Sequence, residues 1–454
     1  MRQRRLVWAM AGSVAAALLL VSPASAATLV DVLAWAYSSN PQLNAQRAEL
    51  RATDEGVPQA KSGYRPSIFA NGQAGVEQID NEVAGSDTRY PRSVNLTVEQ
   101  PIFLGFRTKN SVRAAESSVL AGREVLRNTE QDVLLDAVTA FMDVAQNQAI
   151  VSLRSQNLEF LREQVRAAND RLNVGEGTRT DVAQTNSSLS QGLSDYAAAV
   201  ATLAASNATY QMVIGRPPDT IGAVKNADKM LPRTLDAAIA LGHVNHPSIT
   251  AASFNIDVAS FNVKVIEGEF LPRVTVTGEV AHSDSDTAAG WTNSASVMGT
   301  VSVPIYQAGE PDARARQAKE TLGQIRIQHD LARDQVRQAI VAAWAQLDAA
   351  RAQIKAADQQ VAAQQLVLSG VIEERNVGQR TTLDVLDSQQ DLIDARTSQV
   401  TARRNSVVAA YTVLSSIGSL SAAKLGLAVA IYDPKEHHRL VRDKWGGLRT
   451  PDGR

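Results

Sequence analysis

Hydrophobic and polar positions follow two different periods that take turns along the chain. From Ile68 the apolar positions recur every second residue, as Ile68, Ala70, Gly72, Ala74 and Val76, with Phe69, Asn71, Gln73 and Glu77 between them. A period of two predicts a strand with one apolar and one mostly polar face. A second strand alternates Val94, Leu96 and Val98 with Ser93, Asn95, Thr97 and Glu99, and ends at Pro101-Ile102-Phe103. The charged segment Asp80 to Arg92 reads as the loop of a hairpin. Ahead of these strands, Asp31 to Lys61 reads as helix, with a boundary at Asn40-Pro41 and closure at Pro58.

The period then changes. Arg107 to Leu172 contains no proline and one glycine, Gly122, which predicts one helix of about 65 residues, a rod of about 100 Å at 1.5 Å per residue. The chain breaks at Asn173-Val174-Gly175-Glu176-Gly177-Thr178-Arg179-Thr180-Asp181-Val182. A further helix then runs from Asp181 to Ile214, with Val182, Leu189, Tyr196, Leu203 and Tyr210 at every seventh position. That spacing predicts helices packed side by side in coiled-coil fashion.

The second half repeats the order. His246-Pro247 answers Asn40-Pro41, and Leu271-Pro272 answers Arg65-Pro66. Val274, Val276, Gly278 and Val280 form one alternating set; Ala295, Val297, Gly299, Val301 and Val303 form another beyond a loop around Ser283 to Trp291. A second rod runs from Pro311 to Asn376, with a seam of Ile340, Ala343, Leu347, Ala350, Ile354, Ala357 and Val361. After it comes a second break, Asn376-Val377-Gly378-Gln379-Arg380-Thr381-Thr382-Leu383-Asp384-Val385. The two breaks stand 203 residues apart (378 − 175 and 384 − 181). Leu386, Ile393, Val400, Val407 and Leu414 continue the seven-residue period up to Gly418.

This pattern divides the chain into residues 1–26, a first repeat over 27–220, a second over 221–420, and a C-terminal tail over 421–454. Arg2, Arg4 and Arg5, the apolar run Val14 to Val21 and the small residues Ala24-Ser25-Ala26 mark the first segment as a secretory signal peptide. The tail carries Lys435, Arg439, Arg442, Lys444, Arg449 and Arg454 and is predicted to be solvated and partly disordered, with His437-His438 exposed.

Composition narrows the function. A net charge of −2 with 20% charged residues argues against a nucleic-acid partner. The absence of cysteine leaves no disulfide framework, thiolate metal site or lipidated cysteine. No apolar run after the signal approaches a spanning helix, so any membrane passage must be by β-barrel. Four alternating strands of bilayer length cannot close a barrel alone. Their open edges call for pairing between copies, and three chains would supply twelve strands.

The N-V-G-x-x-T-x-x-D-V breaks, the Tyr64-Arg65-Pro66 and Phe270-Leu271-Pro272 strand starts, and the Gln100-Pro101-Ile102-Phe103 and Val303-Pro304-Ile305-Tyr306 strand ends resemble the TolC family of outer-membrane efflux and secretion channels. The resemblance spans residues 28 to 420 and points to the unlipidated branch. It implies a membrane all-α plus β-barrel fold: a trimeric twelve-stranded outer-membrane barrel continuous with a long periplasmic α-helical barrel, built from two tandem repeats. The implied function is the outer-membrane exit duct of a tripartite multidrug efflux or type I secretion system. Its implied partners are two further copies of the chain, a periplasmic adaptor protein, an inner-membrane pump of the RND or ABC class, and outer-membrane lipid, with no cofactor.

Site residues also follow from the resemblance. The N-V-G breaks correspond to the periplasmic entrance, an iris-like gate. Asp384 and Asp387 match the acidic residues that ring it. Asp181 and Arg380 match a pair that latches neighbouring hairpins, and Val174, Gly175, Val377 and Gly378 match the adaptor-docking tips. Arg375 stands where the family's best-known gate has a tyrosine, which leaves it free to pair with an acidic neighbour such as Asp181. Helix capping is the simpler role for Asp181 and Asp384. No histidine spacing, G-x-S-x-G or phosphate loop supports an enzyme. A soluble periplasmic coiled-coil or adaptor protein that bridges the membranes without forming a pore is the competing reading.

Overall fold

A computed structural model describes residues 27–82, 85–219, 222, 227–284 and 290–453. The signal peptide over residues 1–26 lies outside them, as do the repeat boundary at 220 and 221 and part of the loop before Trp291. Three helices open the chain: α1 (Leu29–Ser39), α2 (Pro41–Asp54) and α3 (Gly56–Lys61). Asn40 separates the first two, its Oδ1 accepting from the amides of Gln42 at 2.9 Å and Leu43 at 3.1 Å. The second break falls at Glu55-Gly56, three residues before Pro58. Pro58 sits inside the first turn of α3, where its missing N–H would have had no helical partner.

The strands are β1 (Ser67–Ala74), β2 (Glu77–Asn81), β3 (Gly85–Arg89) and β4 (Arg92–Leu104). The first strand therefore ends at Ala74, short of the expected Val76 and Glu77, and a second small hairpin, β2 paired with β3, runs from Glu77 into the expected loop from Asp80 to Arg92. Both of its faces are polar, so its ladder rests on backbone hydrogen bonds and leaves no apolar alternation in the sequence. After β4 come α4 (Arg107–Asn173) and α5 (Arg179–Ile214), then α6 (Leu235–Asn245), α7 (Pro247–Glu267), β5 (Arg273–Asp284) and β6 (Trp291–Ser302). The chain continues with α8 (Glu310–Asn376), α9 (Thr382–Ser416), and the short α10 (Ala422–Leu425) and α11 (Glu436–Val441). The two rods, α4 and α8, each have 67 residues.

The main sheet has the antiparallel order β1-β4-β5-β6, with β1 and β6 as edges. Its register sets Ile68 opposite Val98, Val98 opposite Gly278 and Gly278 opposite Val297, so the apolar positions of all four strands share one face. That face is the open one: Val94, Leu96, Val280, Val297 and Val301 are exposed, whereas Ser93, Asn95 and Thr97 are half-buried. On the polar face Asn95 Nδ2 donates to Glu279 Oε1 at 3.3 Å.

Strand gives way to helix through two matching corners. Gly105 and Phe106 both have positive φ, at 62° and 61°, ahead of α4; Ala308 and Gly309, at 51° and 80°, do the same ahead of α8. The rods fold back as hairpins, α4 with α5 and α8 with α9, while α4 also lies beside α7 and α9. The main core forms where these helices meet α1 and α6. Leu33, Phe141, Tyr210, Ile340, Leu347 and Leu414 are buried there. The predicted seams account for much of it, with Ile340, Ala343, Leu347, Ala350 and Ala357 buried on α8.

The C-terminal stretch corrects an expectation. It is packed on the helices: Leu427 and Val441 are buried, and His437 Nδ1 lies 3.1 Å from Oδ2 of the buried Asp54. His438 Nδ1 stands 3.5 Å from the other oxygen of the same carboxylate. Lys435, Arg439, Arg442 and Arg449 are exposed as expected; what the sequence concealed is the packing, because Asp54 and Glu116, the partners of His437 and Arg442, lie more than 300 positions away in the chain.

Candidate functional site

Each N-V-G break is a five-residue turn at the far end of a rod. In the first, Gly175 at φ 81° reverses the chain, and the amides of Glu176 and Gly177 donate to Arg171 O at 2.9 and 3.0 Å. In the second, Gly378 also has φ 81°, and the Gln379 amide donates to Glu374 O at 2.9 Å. Left-handed backbone here favours glycine over any residue with a Cβ. Val174 and Val377, 71% and 72% exposed, project from the tips.

Both T-x-x-D sequences are capping boxes. The Asp384 carboxylate accepts from the Thr381 amide and hydroxyl, both at 2.8 Å, while the Asp384 amide donates to Thr381 Oγ1 at 3.2 Å. Asp181 and Thr178 repeat the arrangement at 3.1, 2.7 and 3.1 Å. The simpler of the two roles weighed for these aspartates is thus realised at both. The Thr381 bonds, with a smaller effect from Arg380, hold the Asp384 carboxyl below the usual carboxylate range. Such a group adds stability above its unfolded pKa of about 3.9 and loses it as pH falls through the lowered folded value. Thr381→Ala is expected to return the Asp384 pKa, followed by NMR titration, towards that ordinary value. It should also cost about 1 kcal/mol in the first turn of α9, measured by amide exchange.

A groove of about 400 Å³ at the tips gathers Asp181, Arg375 and Arg380 with Arg171, Glu176 and Gly378. It brings the three predicted latch residues together without pairing them. Arg380 Nε donates to Glu374 Oε2 at 2.9 Å within its own hairpin, and this bond raises the guanidinium pKa. Arg375 Nη1 donates to Gln164 Oε1 at 2.8 Å, and its Nη2 to Asn376 Oδ1 at 3.3 Å, not to Asp181. Partial burial and, after it, the neighbouring Arg171 lower the Arg375 pKa.

Asp387 is exposed one turn beyond Asp384. Two further aspartates, Asp391 and Asp394, extend the spacing of three and four along α9 and went unnoticed in the sequence, although the spacing is visible there. Polar contacts between the hairpins were not legible at all. Arg404 Nε reaches Asp143 Oδ1 at 2.7 Å, and Gln146 Nε2 reaches Thr401 Oγ1 at 3.2 Å. Arg154 lies 3.6 Å from Asp394, and Gln389 Nε2 donates to the buried Asn157 at 3.0 Å. With Arg375 and Gln164 these form a ladder that climbs from the core to the tips. Within the first hairpin Leu158 and Leu161 pack over Gly192, and Arg154 also stands 3.5 Å from Asp195.

An outward apolar sheet continuous with paired coiled-coil hairpins defines the class of outer-membrane export channels. The outer membrane efflux protein family matches residues 32–216 and 239–419, and the chain belongs to that family. It is 46% identical to the outer membrane efflux protein BepC of Brucella suis over 94% of this chain and 93% of that protein. It is 24% identical to TolC of Escherichia coli over 88% and 84% of the two chains. The alkaline protease secretion protein AprF of Pseudomonas aeruginosa is 23% identical over 94% and 92%. Among solved structures, the Campylobacter jejuni CmeC outer membrane channel superposes with a TM-score of 0.78 at 14% identity, covering 91% of this chain and 89% of CmeC. The protein is therefore an outer-membrane exit channel that extends into the periplasm, in a family of transport channels and not of enzymes. The soluble adaptor reading falls with that assignment.

Proposed function

We propose that three copies of the chain form one duct, serving drug efflux or type I secretion, that passively conducts substrates delivered by an RND or ABC inner-membrane pump through a periplasmic adaptor. In this reading the four strands of each copy join edge to edge, β1 to the neighbour's β6, in a twelve-stranded barrel. Residues 27–220 and 221–420 act as two repeats of one hairpin unit. The observation that carries it is the open apolar face shared by all four strands: Val94, Leu96, Val280, Val297 and Val301 are exposed while Ser93, Asn95 and Thr97 of the central strand β4 are half-buried, the reverse of a strand in water and the arrangement of a water-filled barrel. The test is planar-bilayer conductance of the purified protein, with a heat-sensitive trimer band on gels. A detergent-free soluble monomer without conductance would overturn it.

The tips form the gate. Val174, Gly175, Val377 and Gly378 offer the adaptor an exposed, turn-shaped docking contact. Asp384 and Asp387 of three copies set six carboxylates around the entrance, and Arg375 is the main latch, with Arg380 and Asp181 in a secondary latching role. A ring of carboxylates attracts cations and holds multivalent ones most strongly. Asp387→Asn is expected to weaken block of the open current by a trivalent cation at least tenfold. Asp384→Asn should do so less, because its carboxylate already serves Thr381. Unchanged block in both would remove the ring from the entrance.

A further inference from the structure

Beyond α11, the C-terminal segment ends beside the base of the sheet. Arg65, two residues ahead of β1, donates through Nη1 to Lys444 O at 2.9 Å, and its guanidinium stands 4.8 Å from the centre of the Trp445 ring. Lys61 Nζ meets Asp443 Oδ1 at 2.6 Å, and Arg442 Nη2 meets Glu116 Oε1 at 3.1 Å. These contacts hold residues 442–445 at the level where strands become helices. Close to that junction in the chain, Tyr64, Phe106, Phe270 and Tyr306 are all exposed. The segment adds Trp445, 73% exposed, and a fully exposed Leu448. Beside Trp445 a cleft of about 600 Å³ is lined by Arg65, Lys444, Glu55 and the Gly446-Gly447 backbone.

We propose that residues 442–449 are an interfacial anchor that rests on the periplasmic leaflet of the outer membrane and takes glycerophospholipid headgroups. Two observations favour lipid as the occupant. The exposed Trp445, beside Arg65 at the foot of the sheet, and Leu448 three residues on add to the aromatics exposed near the strand–helix junctions, where an amphipathic ring gains from having one edge in the acyl boundary and the other in water. The charge is also complementary to phosphate: Lys444 and Arg449 stand with them, Arg65 keeps donors beyond the one spent on Lys444, and Asp443 is engaged by Lys61. The cleft gives a headgroup room between Arg65 and Lys444. This assignment rests on the sheet lying in the membrane, and the experiment separates the two.

The chain has no cysteine, so Trp445→Cys and Leu448→Cys can each carry a single environment-sensitive fluorophore on the full-length protein. The labelled variants are reconstituted in phosphatidylethanolamine and phosphatidylglycerol vesicles, with Val297→Cys as the lipid-facing control and Val174→Cys as the aqueous control. Spin-labelled phospholipid is expected to quench the labels at 445 and 448 as it quenches 297, with a blue shift absent at 174. Quenching at 297 with only iodide quenching at 445 and 448 would overturn the anchor and leave the barrel standing. Protection from both quenchers, with cross-linking of Leu448→Cys to another copy, would assign the surface to a neighbouring chain and also overturn it. Loss of lipid quenching at 297 would overturn the barrel and, with it, the anchor.

Discussion

Arg375→Ala is expected to raise the resting single-channel conductance several-fold, and Arg380→Ala to change it much less. Arg375 is partly buried at the end of α8 and its bond to Gln164 crosses to α4, so it ties one hairpin to the other. A hydrogen bond from a charged donor is worth about 1.5–3 kcal/mol, which, discounted for its partial exposure, biases a two-state aperture about tenfold towards closure in each copy. Arg380 is exposed and bonded to Glu374 across its own turn, so within one copy its loss frees no contact between hairpins. Gln164→Ala should reproduce the Arg375 effect, and the double variant should add little to either. An Arg380→Ala conductance as high as that of Arg375→Ala would place the latch between copies, through Asp181. Unchanged conductance in all of them would remove these residues from the gate.

Gly105→Ala should give the largest loss of stability. A Cβ built there would lie 2.2 Å from the Gly268 carbonyl oxygen, with φ at +62° adding left-handed strain. The obstacle is reciprocal, since a Cβ on Gly268 would lie 2.4 Å from Gly105 O. Both contacts are with backbone, so neither yields by a change of rotamer. Overpacking costs about 1–3 kcal/mol and the left-handed residue about 1–2 more. The same corner is clamped by Glu269, 2.8 Å from Arg314 and 3.5 Å from Arg107, which joins both rods to the strand level. A Gly105→Ala protein is expected to unfold, followed by circular dichroism, at a temperature well below that of the parent. Gly72→Ala, open on all sides, should not.

Much of this structure was legible in the sequence because its elements are long and strictly periodic. A chain without proline from residue 107 to 173 has little choice but one helix, and alternation over ten residues names both faces of a strand. The tip motif was legible because glycine at positive φ and threonine three residues before aspartate are local requirements. The packing of the tail was missed for the opposite reason: Asp54 and Glu116, which contact His437 and Arg442, are distant in sequence. The small β2 and β3 hairpin carried no signal because neither of its faces is apolar.

By itself, then, the sequence determined element lengths, the two faces of the sheet, the position of the turns and the capping of α5 and α9. All of these depend on residues within a turn or two of one another. Only the tertiary structure decided that Arg375 faces Gln164 and Arg380 faces Glu374, that α4 and α9 meet through a polar ladder, and that Trp445 stands beside Arg65 at the foot of the sheet. The reason is rotational: a heptad pattern says which stripe of a long helix is buried, but leaves open which neighbour covers it and at what height. Helix crossing and register, summed over some 100 Å of rod, settle which polar side chains come within hydrogen-bond reach.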